Sequence, residues 1–335
     1  MSSALQPDRS ESRRLRGVLV ATSLAMFCIQ LDFFALTLAL PRMAADLRVT
    51  TTDLQWVLSG YMLALGALLV LGGRLGDIFG RRLVLVIGLG TFAGAAALCA
   101  LAPNASTLIA FRIVQGVGAA MIFPMTIAVL TSNFPKERRG QAIGLTLGLA
   151  AVGTALGPFV GGVLTAGPGW RWIFWLMVPI AVAAAVVVLR ATHESRDDKT
   201  PRRVDVAGAI VLSAGLALVT FAFDRSSTAG WASPEVWLTG GVGLVLLVGF
   251  PFLEGRVRLP LIDVRLFRNV AFVLVTAVGT MANIAFAGTV FLATLYLQEV
   301  RGLEPLMAGL VFLGLSVASP GRSPAGSAPG IPPAS

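Results

Sequence analysis

Charge is what this sequence has least of. Asp, Glu, Lys and Arg make up 13% of its 335 residues, hydrophobic residues make up 56%, and the mean hydropathy is +0.82. Soluble domains carry about 25% charge, so a water-soluble globular fold is excluded because it could not hide this much apolar surface. Histidine is reduced to His193, and the two cysteines, Cys28 and Cys99, both sit inside apolar runs. Side chains this sparse give no clustered metal-ligand set and no nucleophile–base pair for an intramembrane enzyme. The thiols read as small packing residues rather than as a disulfide. Alternating apolar segments of about ten residues are missing as well, which excludes a membrane β-barrel.

What the chain does have is long, continuous apolar runs. They cover roughly 17–40, 54–72, 83–102, 107–130, 141–166, 171–189, 206–223, 236–253, 270–298 and 304–319, ten in all. Most are near the ~20 residues a helix needs to cross a bilayer. The fold class is therefore all-α, a polytopic membrane protein. The first run is too long for a cleavable signal and is followed by others, so it reads as a retained span.

A net charge of +9 and a pI near 11.0 could suggest a nucleic-acid partner. The distribution argues against one. Twenty of the 26 Lys and Arg fall in segments on one side of the spans and five on the other, with Arg112 inside a run. That asymmetry orients the N-terminus to the cytoplasm of a cell membrane. The expected organisation is a cytoplasmic tail (1–16), a six-helix bundle (17–189), a solvated linker (190–205), two further helices (206–253), a basic loop (254–269) and the first two spans of a second bundle (270–319). Residues 320–335, rich in Pro, Gly, Ala and Ser, read as disordered. A one-nucleotide shift of their codons is compatible with a charged turn like the one at 73–82, so a frameshifted tail is the expectation there.

Three features carry chemistry. Asp32 and Arg112 lie inside runs, at about 12 Å and 7 Å from the outer ends at 1.5 Å per residue. Burying either charge in a bilayer without a partner costs at least about 2.5–3.5 kcal/mol, so both are expected to face a bundle interior. Two alternatives stay open: snorkelling of Arg112 to the outer headgroups and backbone hydrogen bonding of Asp32. The stretch Gly73-Arg74-Leu75-Gly76-Asp77-Ile78-Phe79-Gly80-Arg81-Arg82 concentrates charge and glycine in a connection expected to be a tight surface turn. The fifth run places Gly144, Gly148, Gly153, Gly157, Pro158, Gly161 and Gly162 at steps that let another helix approach closely, and ordinary helix packing would use them in the same way.

Taken together these motifs resemble the major facilitator superfamily, specifically its fourteen-span proton-coupled drug antiporters. Gly73 to Arg82 matches the loop signature between spans two and three. Ile109, Arg112, Gln115, Gly116, Gly118, Ala119 and Ala120 match the fourth-span motif. Gly153, Gly157, Pro158, Gly161 and Gly162 match the antiporter motif of span five. Leu31 and Asp32, with Ala39 to Pro41, Trp56, Tyr61 and the Trp170 to Phe174 stretch with Trp172, are similar to further signatures of that group. Phe34, Thr37 and Met177 depart from it, towards a less polar cavity.

The resemblance implies the major facilitator fold, with a complete six-helix bundle, two extra spans and an incomplete second bundle. It assigns Asp32, Arg112 and Gln115 to proton coupling and the substrate cavity. Gly73, Asp77, Gly80, Arg81 and Arg82 become a cytoplasmic gate, and the glycine–proline stretch shapes the surface about which the bundles rock. The implied function is efflux of small amphipathic or cationic drugs in exchange for protons, with no cofactor beyond the proton gradient and no obligatory protein partner. The partners are then a small-molecule substrate, protons and membrane lipid. A non-transporting fragment is the alternative from another class, and an uptake permease the alternative within the superfamily.

Overall fold

The structure, a computed structural model, describes residues 9–195, 205–257, 266 and 268–302, and among them every regular element is helical. In chain order these are α1 (Arg9–Leu47), a short α2 (Thr51–Leu54), α3 (Trp56–Phe79), α4 (Arg81–Ala100), α5 (Ala105–Asn133), α6 (Lys136–Ala166), α7 (Arg171–Ala191), α8 (Val206–Ala229), α9 (Pro234–Glu254) and α10 (Val270–Leu295), which runs into a π turn at Tyr296–Val300. With α2 and α3 counted as one, eight spans, from Ser10–Leu47 to Pro234–Glu254, are long and apolar enough to cross a membrane. α10 falls where the ninth run was expected. The tenth run, 304–319, and the tail 320–335 lie outside the described residues.

Side-chain caps mark the starts of three of the long helices. Asn104 accepts from the Thr107 N–H, Asp205 from Gly208 and Asn269 from Ala271 and Phe272, each occupying one of the donors a helix start leaves open. Helices also overrun the apolar stretches. α1 is already helical at Arg9, inside the segment expected to be a tail, and continues through Pro41 to Leu47. α8 continues through Asp224 to Ala229, past the expected end at 223.

α1 is the packing centre of the first bundle, lying against α6 and α7, while α5 lies against α3 and α4, and α4 against α7. α8 and α9 pack on each other, and α8 leans on α3. The apolar core divides in two along α1. One cluster holds Val18 to Leu31 with Leu85, Phe92, Ile122 and Val188. The other holds Ala35 to Ala44 with Val57, Leu108, Trp170 and Phe174. Between them on α1 comes Asp32.

The α1–α6 seam is made by glycine. A Cβ at Gly153 would lie 2.8 Å from the Phe27 carbonyl oxygen, one at Gly157 would collide with Phe34, and one at Gly161 with the Ala35 carbonyl oxygen. Side-chain rungs join the same helices: Ser23 and Thr146 hydroxyls at 3.2 Å, and Gln30 Nε2 donating to Thr154 Oγ1 at 3.1 Å. Where lipid offers no hydrophobic drive between helices, close backbone approach and such rungs supply the attraction.

Candidate functional site

Asp32 Oδ2 accepts from Arg112 Nη1 at 2.5 Å, and neither side chain has any exposed surface. The same Nη1 donates to Gln115 Oε1 at 2.8 Å, and Gln115 Nε2 donates to Asp32 Oδ1 at 3.1 Å, closing a triangle of three buried side chains. Arg112 Nε donates to the Val57 carbonyl at 2.9 Å. Its guanidinium lies 4.2 Å over the Tyr61 ring and 5.9 Å from that of Phe174.

The geometry follows from helical spacing. Arg112 and Gln115 are three apart on α5, so they share a face. Val57 and Tyr61 are four apart on α3 and meet that face from the other side. α1 brings the carboxylate. Both open alternatives for the charged pair are thereby corrected: Arg112 does not snorkel, and Asp32 is held by side chains rather than by backbone.

Burying two charges costs several kcal/mol each, recovered only when the pair is close and its remaining donors and acceptors are met. Here the matching is not complete. Arg112 Nη2 and the Tyr61 hydroxyl are buried without a hydrogen-bond partner. Without the Asp32 carboxylate the guanidinium would keep only Gln115, one carbonyl and two aromatic faces.

The Gly73–Arg82 stretch lies elsewhere, about 28 Å along α3 from Tyr61 to Gly80. Its expected form, a ten-residue turn, is corrected: α3 stays helical to Phe79, α4 starts at Arg81, and the break is Gly80 alone, at φ +115°. Only glycine adopts that backbone without strain. Asp77 near the end of α3 pairs with Arg81, the first residue of α4, at 3.1 Å across the Gly80 break, and Gly73 faces Pro124 of α5.

The linker beyond α7, expected to be solvated, docks here over 192–195. Glu194 accepts from the Arg82 and Leu83 N–H groups, both at 3.1 Å, and the Ser195 carbonyl accepts from the Arg81 N–H at 2.9 Å. Arg82 Nη2 donates to the Leu189 carbonyl at 2.6 Å. A carboxylate on the open N–H groups of a helix start is favoured by both hydrogen bonding and the helix dipole. Residues 196–204 of the expected linker lie outside the described residues.

The remaining candidates are dispersed. Gly153, Gly157 and Gly161 face α1 within the bundle, whereas Cβ atoms at Gly140, Gly144 and Gly148 would meet nothing within 4 Å. Pro158 lies inside α6, and Gly162 touches only Leu38, at 4.0 Å. Trp56 lies against Phe221 of α8, ring centroids 5.5 Å apart and planes tilted by 36°, and Trp172 is 53% exposed. Cys28 and Cys99 are buried and unpaired. Asp224, one residue past the expected end of the seventh run, is helical, and its Oδ1 accepts from Ser59 on α3 at 2.6 Å. Among the described residues there is no group of His, Cys, Asp and Glu that could hold a metal ion.

Comparison with known proteins is consistent with this architecture. The family model described as Major Facilitator Superfamily matches residues 22–328. The tetracenomycin C resistance and export protein of Streptomyces glaucescens is 30% identical over 306 residues, covering 90% of this chain and 57% of that protein. The methylenomycin A resistance protein of Bacillus subtilis is 33% identical over 298 residues, 89% and 64% respectively. The puromycin resistance protein pur8 of Streptomyces alboniger is 33% identical over 314 residues, 92% and 61%. The chain thus spans about three fifths of the length of these relatives. Among solved structures, a mutant of the peptide transporter POT in complex with sulfate superposes with a TM-score of 0.62 at 17% identity, covering 91% of this chain and 66% of that one.

Proposed function

Because the chain belongs to the Major Facilitator Superfamily, we propose that it serves the proton-coupled export of small amphipathic or cationic compounds across the cell membrane, in the manner of the fourteen-span antiporter group. The reading is carried by one observation, the fully buried Asp32–Arg112–Gln115 triangle between two apolar clusters. A membrane bundle holds an ion pair there at a cost, and a carboxylate whose protonation changes that cost is what coupling to a proton gradient requires. The names of the relatives, which speak of resistance and export, favour efflux over uptake.

In this reading a proton arriving at Asp32 releases Arg112, and the change in pairing between α1, α3 and α5 biases one access state over the other. Tyr61 and Phe174 are fully buried around Arg112 in this state, and their ring faces, which attract cations, would meet the substrate once the cluster opens. The N-terminus and the Gly80 turn face the cytoplasm. There the Asp77–Arg81 pair and the Glu194 cap hold one end of the bundle together.

The test is ethidium efflux from a drug-sensitive host expressing the full chain, together with proton antiport in inverted membrane vesicles. Efflux that disappears with a protonophore and with Asp32→Asn is expected. Antiport that persists unchanged in the Asp32→Asn protein would remove Asp32 from the mechanism.

A further inference from the structure

α3 stands between the Asp32 cluster and α8, and its residues 57–61 serve both sides. Val57 gives Arg112 its carbonyl and Tyr61 its ring face. Ser59, between them, donates to Asp224 Oδ1 of α8 at 2.6 Å. At about 100° per residue, Val57 and Tyr61 differ by about 40° around the helix, and Ser59 lies about 180° from their mean direction. A displacement of Ser59 along that line therefore moves the Val57 carbonyl and the Tyr61 ring relative to Arg112.

Towards α5 there is no room for such a movement. A Cβ at Gly116 would lie 2.5 Å from the Tyr61 carbonyl oxygen, so the two backbones already touch. The freedom left to α3 is away from α5, and α8 occupies that side. Ser213 and Asp224 lie about three turns apart on one face of α8, and Ser213 Oγ donates to the Ala67 carbonyl of α3 at 2.7 Å. The Ser59–Asp224 distance is in the range of a hydroxyl donating to an ionised carboxylate. Arg225, next to Asp224, is taken by Glu235 at 3.2 Å, which leaves Ser59 as the side-chain donor to Asp224 among the described residues. On the cluster side the margin is small. Arg112 Nη2 is already without a partner, and withdrawing the Val57 carbonyl would leave the buried Nε unmet as well.

We propose that Asp224 is a positioning residue for the Asp32–Arg112 cluster. Through Ser59 it holds α3 where the Val57 carbonyl and the Tyr61 ring meet Arg112, and α8 thereby sets how readily the cluster opens. The contacts carry this by themselves. That opening of the cluster is the coupling step rests on the transport reading above.

The experiment uses the two cysteines of the chain as they stand. Cys28 is 1% exposed in the same apolar cluster as Tyr61, and Cys99 Sγ donates to Gln115 Oε1 at 3.9 Å, so both are shielded while the cluster is closed. Alkylation by N-ethylmaleimide in native membranes holding the full chain, read at each cysteine by peptide mass spectrometry, follows opening. Ser59→Ala and Asp224→Ala should each raise the rate at Cys28 about three- to twentyfold, the shift that one interhelical hydrogen bond in a membrane gives to an opening equilibrium. Asp224→Asn keeps an acceptor oxygen for Ser59 and should restore most of the shielding. Arg225→Gln, which breaks the pair with Glu235 at the same end of α8, should leave both rates unchanged. Cys28 alkylation in Ser59→Ala equal to that of the parent, with α8 loosened from α3 by crosslinking, would reduce the bond to mere attachment and overturn the proposal. A parent protein without proton antiport, but with these alkylation differences intact, would sink the transport reading and leave the positioning in place.

Discussion

Asp32 on α1 and Arg112 on α5 meet at 2.5 Å with neither side chain exposed, and each is the other's only opposite charge within reach among the described residues. Removing one partner strands the other in a low-dielectric interior, which costs about 3–5 kcal/mol. Arg112→Gln is therefore expected to lower the thermal midpoint of the detergent-solubilised protein sharply. The double variant Asp32→Asn with Arg112→Gln, having no charge to strand, should be more stable than Arg112→Gln alone. A double-mutant cycle on thermal unfolding checks this, and additive losses would contradict the coupling.

The glycine seam predicts a difference between two sets of residues in one helix. Gly161→Ala forces a methyl group into the Ala35 carbonyl oxygen, with backbone on the other side and nothing flexible to yield. Overpacking of that kind costs about 1–3 kcal/mol. Gly144→Ala and Gly148→Ala meet open space and should be neutral or slightly stabilising through helix propensity. Melting temperatures of the three variants by fluorescence-detected gel filtration decide between a seam and a general need for glycine.

Glu194 caps α4 from a segment 111 residues away in sequence. Glu194→Ala should cost about 0.5–2 kcal/mol, the range for a lost helix cap. Hydrogen exchange should accelerate at the Arg82 and Leu83 amides while those deeper in α4 stay protected. Gly80→Ala should be worse than Glu194→Ala, because it combines a positive φ with a collision against the same carboxylate.

The Ser59–Asp224 hydrogen bond and the Trp56–Phe221 contact attach α8 to α3. Interhelical hydrogen bonds inside membranes are worth about 0.6 kcal/mol on average and at most about 1.7, so Ser59→Ala should weaken the attachment without unfolding the bundle. Crosslinking of Trp56→Cys to Phe221→Cys by a bis-maleimide in native membranes measures it. Its yield should fall when Ser59→Ala is added.

Much of this was legible in the chain. Run lengths gave the helices, and the comparable depth of Asp32 and Arg112 put them at one level of the bundle. That they would be direct partners, sharing Gln115 and the Val57 carbonyl, depends on the rotation of three helices about their own axes, which hydropathy does not report. The glycine faces were within reach of counting. Four-residue steps at about 100° per residue drift by only 40°, but the five-residue step from Gly148 to Gly153 turns the helix by about 140°. The two glycine sets therefore point apart. Glu194 was hidden for another reason: a carboxylate in a charged linker looks the same in sequence whether it faces water or caps a distant helix.

Gly80 leaves one residue between α3 and α4. Neighbouring Cα atoms are 3.8 Å apart, so the ends of the two helices stay within about 7.6 Å whatever the rest of the protein does. In kinematic terms the joint has no slack. α3 cannot slide along its axis without carrying the start of α4 with it, and what remains is rotation about the dihedrals of a single residue. A displacement applied at the Tyr61 end of α3 would reach α4 as a lever reaches its fulcrum, and the Glu194 carboxylate rests on that pivot.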